Sequence, residues 1–110
     1  MKTPEKFYIV AERYNPQLGM YLCDVIVGNK RVNKNSITCV YNFYGSTEKM
    51  KFAKEAYNNN GCHECLSKDN CIYGSMHYIG FETAENAKTY LDNRWSKEHR
   101  YQSCIAKLVA

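Results

Sequence analysis

No apolar run in this 110-residue chain approaches the roughly 20 residues that a helix needs to cross a bilayer, so a membrane-spanning role is excluded on this pattern. The opening stretch Met1 to Arg13 carries an apolar segment that is short and soon charged, which argues against a signal peptide and for a protein of the cytoplasm. Internal repeats and low-complexity tracts are also missing. The chain has no nucleophile elbow, no phosphate-cradling glycine loop and no paired-carboxylate constellation, and a non-enzyme is expected. Charge of one sign is not abundant either. A formal net charge of +4 permits contact with nucleic acid or an acidic protein without arguing for either.

Cysteine is present in quantity. Six cysteines would suit a disulfide framework in an exported miniprotein, but without an export signal a reducing compartment favours thiolates and metal. Three of them crowd into one loop: Cys62, Cys65 and Cys71, with His77 following at the spacing C-x2-C-x5-C-x5-H. A tight turn through a C-x2-C can bring two thiolates within reach of a tetrahedral Zn²⁺, and a short polar loop can return the third. His77 is the favoured fourth ligand, with His63 second and Cys39 or Cys104 completing an all-thiolate alternative. Taken singly, Cys23, Cys39 and Cys104 fall in strand-like patterns where a thiol usually packs the core. The spacing is similar in scale to a retroviral-type zinc knuckle, but that family places its histidine third and its cysteine last, so knuckle function does not carry over. It also matches neither ferredoxin pattern. The expected metal is a structural clasp spanning residues 61–77.

The apolar pattern predicts one α+β domain over residues 1–110. Phe7 to Arg13 and Met20 to Val27 read as a hairpin around the turn chemistry of Asn15 to Gly19, and Ile37 to Tyr44 as a third strand. Ser46 can cap a helix running to about Asn58, with Met50, Ala53 and Tyr57 on one side. Met76 to Phe81 reads as a strand, Thr83 as the cap of a second helix carrying Ala84, Ala87, Leu91 and Trp95 on one face, and Tyr101 to Val109 as a closing strand. The expected architecture is a mixed or antiparallel sheet of about five strands with two helices on one face, and a ferredoxin-like core from the third strand onward.

Two functions fit such a chain. A rigid, metal-stapled module with tyrosine anchors, Tyr73 and Tyr78 near the cysteine loop, suits docking on a larger host protein or complex and inhibiting it. Tyr14 to Gly19 with its flanking tyrosines, in a small chain rich in asparagine, lysine and tyrosine, looks like the small accessory proteins of tailed phages. That resemblance implies host takeover or evasion of a defence system in the host cytoplasm, and it assigns no residue a role. Alternatively, Lys30, Arg31 and Lys34, joined by Lys49, Lys51 and Lys54, contact phosphates of RNA or single-stranded DNA while Tyr41, Phe43 or Tyr73 stack on bases.

Overall fold

The apolar run from Phe7 to Ala11 lies in a strand at the centre of a sheet. A computed structural model describes residues 5–15, 20–66 and 77–109, together with their side chains except those of residues 14, 15 and 20–22. Strand β1 (Lys6–Asn15) pairs antiparallel with β2 (Met20–Val32) from Lys6 opposite Asn29 to Asn15 opposite Met20, which is the expected hairpin. Strand β3 (Ser36–Phe43) follows, then β4 (Ser46–Ala53), the short β5 (His63–Glu64) and β6 (His77–Phe81). Helices α1 (Ala84–Trp95) and α2 (Tyr101–Val109) end the chain. The molecule is an α+β domain with a six-stranded antiparallel sheet in the order β4-β3-β2-β1-β6-β5. The sheet curls into a half-barrel until its two edges touch: Phe52 of β4 bridges Cys65, and the Leu66 amide donates to the Lys51 carbonyl at 2.8 Å.

The alternation along β1 divides the apolar residues between two cores. Phe7 and Ile9 point into the curl and pack with Ile37, Cys39 and Tyr41 of β3 and Met50 and Phe52 of β4. Val10 points the other way, where Cys23, Val25, Ile79 and Phe81 meet Ala87, Leu91 and Trp95 of α1 and Cys104 and Leu108 of α2. Both helices therefore cover one face, although only α1 belongs to the expected pair. Gly80 is required inside the curl, because a Cβ there would lie 2.5 Å from Phe7 Cε2 and 2.8 Å from Phe52 Cδ2.

Two expected elements change type. Residues 46–53 form a strand and not a helix, because Tyr44 and Gly45 both take positive φ, 50° and 84°, and join β3 to β4 as a two-residue turn of the kind that matches strand twist. Met50 and Phe52 then alternate inward while Lys49 and Lys51 stay exposed. Asn58 to Gly61 is a turn as expected, with Asn58 Oδ1 accepting from the amides of Asn60 and Cys62, but it ends no helix. Residues 101–109 form a helix and not a strand: Tyr101, Cys104, Ile105 and Leu108 share a face at helical spacing. With no parallel crossover among these pairings, the ferredoxin-like core is replaced by an all-antiparallel curl. Thr83 does cap α1, its Oγ1 accepting from the Asn86 amide at 3.1 Å.

Candidate functional site

Of the residues expected to hold zinc, the described ones, Cys62, Cys65 and His77, lie in separate surroundings. Cys62 is buried in the helix-covered core, whereas Cys65 packs against the core inside the curl. The extended backbone around His63–Glu64 explains this, since residues three apart on a strand leave it on opposite faces. His77 is exposed at the start of β6, its Nδ1 3.2 Å from Glu12 Oε1, and Cys71 lies outside the described residues. Among the alternatives, His63 sits between β4 and β6 with Nδ1 2.9 Å from the Ala53 carbonyl and Nε2 3.4 Å from Glu82 Oε2. Cys39 is sealed inside the curl, where burial pushes its thiol up to about 12. Cys104 faces Cys23. No group of three or more His, Cys, Asp or Glu side chains that could hold a metal forms among the described residues, which do not include Cys71.

The two expected docking anchors fare differently. Tyr73 lies outside the described residues. Tyr78 pairs with Ala11, is half-buried against the inner core, and lines a cleft of about 320 Å³ with Tyr57, Glu64, His77 and Ile79.

A polar cluster that the sequence reading missed joins β1 to α1. Glu12 is only 5% exposed. Its Oε1 accepts from the Tyr90 hydroxyl at 2.7 Å and its Oε2 from Trp95 Nε1 at 3.0 Å, with His77 on the solvent side. Arg94 donates to the Tyr90 oxygen at 3.0 Å and stacks over its ring at 5.3 Å. Burial, reinforced by the bond to Glu12, raises the Tyr90 hydroxyl far above the ordinary tyrosine range. The available signal was a carboxylate in phase with Val10 on the buried side of a strand. Every acceptor oxygen is engaged, so the cluster fastens the helix to the sheet.

The basic residues take different places in the fold. Lys30 is committed to the fold, bridging Glu5 at 2.9 Å and Glu82 at 2.7 Å. Arg31, Lys34, Lys49 and Lys51 instead line a groove of about 670 Å³ with Asn33, Asn35, Ser36 and Thr38. Register builds this groove: Arg31 on β2 stands opposite Thr38 on β3, Thr38 opposite Lys51 on β4, and Lys49 opposite Val40 one step along the same face. Glu48 stands opposite Tyr41 and so takes the other face. The β2–β3 turn holds Lys34 at the rim, because Asn33 donates from its amide to the Ser36 carbonyl and from Nδ2 to Thr38 Oγ1, both at 2.8 Å. No family model, curated protein or solved structure matches the chain. The groove's own chemistry is the guide that remains: four cationic side chains among hydroxyls and amides, a set that suits phosphate oxygens.

The aromatic residues expected to stack on bases do not line this groove. Tyr41 is buried in the inner core. Phe43 and Tyr44 are exposed at the hairpin tip, 53% and 94%, their rings 4.6 Å apart edge to face. Phe43 has the alternation of Tyr41 and Cys39, and so leaves the strand on the face opposite Lys49 and Lys51.

Proposed function

We propose that this chain binds single-stranded nucleic acid through its phosphate backbone, in the groove formed by β3, β4 and the end of β2. The observation that carries this reading is the sorting of charge by the strand β4. On a helix, Lys49 and Lys51 would point about 200° apart, with Glu48 between them. On the strand they share one face with Arg31 and Lys34 while Glu48 takes the other. Lys49 and Lys51 are two residues apart, about 7 Å along the strand, a separation suited to successive phosphates of an extended single strand. The rim is held by the Asn33 hydrogen bonds, which lowers the ordering cost of binding. Because Phe43 leaves from the other face, affinity rests on phosphate contacts and sequence preference is weak.

The test is fluorescence anisotropy of a labelled 12-nucleotide mixed-sequence single strand, RNA and DNA in parallel, across a salt series. Four cations contributing about −0.7 each predict a slope of log K against log salt of roughly −2 to −3. Lys51→Ala and Lys49→Ala each reduce the slope by about 0.7, whereas Lys30→Ala, already committed to Glu5 and Glu82, leaves it unchanged. Absence of salt-dependent binding, or a slope indifferent to the two β4 lysines, overturns the reading.

A further inference from the structure

We propose that Cys23 and Cys104 form a disulfide when the protein meets hydrogen peroxide, fastening α2 to β2. The two sulfurs are 3.6 Å apart although the residues are 81 positions apart in sequence. A disulfide needs about 2.0 Å, so the sulfurs must draw closer by roughly 1.6 Å. Glu98, in the link between the helices, places Oε2 3.4 Å from Cys23 Sγ and anchors itself by accepting from the Arg100 amide at 2.9 Å. Its other oxygen lies 2.8 Å from His99 Nδ1. Both thiols are 1% exposed, so the oxidant must be small or must enter as the terminal helix lifts.

The two sulfurs take different roles. The contact with Cys104, then burial and Glu98, raise the Cys23 thiol, whose proton is directed at Glu98 Oε2, while the contact with Cys23 lowers the Cys104 thiol. Glu98 holds the Cys23 proton, so Cys104 is the sulfur that attacks peroxide, as its thiolate. Its sulfur takes one oxygen as the O–O bond breaks, giving a sulfenic acid, and the released hydroxide takes up the proton lost from Cys104. Cys23 sulfur then attacks the sulfenic sulfur; the S–S bond forms, the S–O bond breaks, and Glu98 passes the Cys23 proton to the departing hydroxide. Two thiols and one hydrogen peroxide yield one disulfide and two waters.

Accessibility alone selects another cysteine. Cys65 is the one half-exposed thiol among the described residues, so oxidation governed by exposure would consume it first. The decisive experiment treats the whole protein with equimolar hydrogen peroxide, alkylates remaining thiols under denaturation, and maps the peptides by mass spectrometry. The expected result is a linked Cys23–Cys104 peptide, two fewer alkylatable thiols, and a melting temperature raised by roughly 10 °C, all reversed by dithiothreitol. Recovery of Cys23 and Cys104 as alkylated thiols while Cys65 is oxidised overturns the proposal. In Cys23→Ser the Cys104 sulfenic acid persists and is trapped by dimedone; should that variant not fold, the wild-type peptide map decides alone. Glu98→Gln slows disulfide formation at least fivefold without preventing it, and an unchanged rate removes Glu98 from the mechanism.

Discussion

Glu12 ties a strand to a helix with a group that normally stays in water. Buried carboxylates persist only where their oxygens are bonded, and here Tyr90 donates a hydrogen bond to Oε1, beside His77, and Trp95 donates one to Oε2. Glu12→Ala strands both donors at about 1–3 kcal/mol apiece, so urea unfolding should show a loss of about 3 kcal/mol or more. A smaller loss would mean that water replaces the carboxylate. A second residue-scale effect depends on pH. The Lys30 ammonium beside Glu82 holds its carboxyl below the usual carboxylate range. The folded state therefore binds that proton less readily than the unfolded chain, and the contribution is complete above the usual range and lost as pH falls through the folded pKa. Glu82 is 44% exposed, which keeps the effect small. Thermal melts from pH 7 to pH 3 should show a shallower acid decline in Glu82→Gln than in wild type, and identical declines would place the acid sensitivity elsewhere.

At the level of elements, a two-residue turn decides what β4 becomes. Ser46 to Ala53 carries a helix-capping serine and an early glutamate, yet it also alternates at Met50 and Phe52, and Tyr44-Gly45 in a left-handed pair resolves the conflict in favour of the hairpin. Gly45 tests this cleanly. A Cβ there meets nothing within 4 Å, so any cost of Gly45→Ala comes from backbone conformation alone. The expected loss is about 1–2 kcal/mol by denaturant titration, and a neutral substitution would show that the turn relaxes to another type. The opposite error at residues 101–109 has a related cause: Tyr101, Cys104, Ile105 and Leu108 recur at helical spacing, but in nine residues an apolar, partly β-branched composition reads equally well as a strand. The hairpin of β1 and β2, the strand β3 and the capped helix α1 were legible because pattern, turn and cap agreed there.

For the whole molecule, closure of the curl is the feature that joins the two sheet edges. The meeting of β4 with the β5 segment rests on the Phe52–Cys65 bridge, the Leu66 amide bond and His63 Nδ1 against the Ala53 carbonyl. His63→Ala removes a buried ring packed 5.8 Å from Phe7 and should cost about 2–4 kcal/mol. Hydrogen exchange should then show the Leu66 amide opening well before the β1–β2 ladder, whereas uniform acceleration would mean the edges are joined as firmly as the centre. The charged groove depends on the same hairpin, since Arg31, Lys49 and Lys51 come together only when β2, β3 and β4 pair in this register.

The amino-acid sequence by itself determined which segments could be strands around Phe7, Val25 and Ile37, where α1 begins, and that one domain holds them, because those signals lie within a few neighbouring residues. Only the tertiary structure decided which cysteines meet. Cys62 and Cys65 are near in sequence and separated by the faces of a strand, while Cys23 and Cys104 are far apart in sequence and come together because α2 packs on β2. The same holds for Lys30 and Arg31, adjacent in the chain: strand alternation turns one to Glu5 and Glu82 and the other to the open groove. Local chemistry specifies what each segment can form, but the facing of a side chain depends on strand register, which is set by pairing with residues far away.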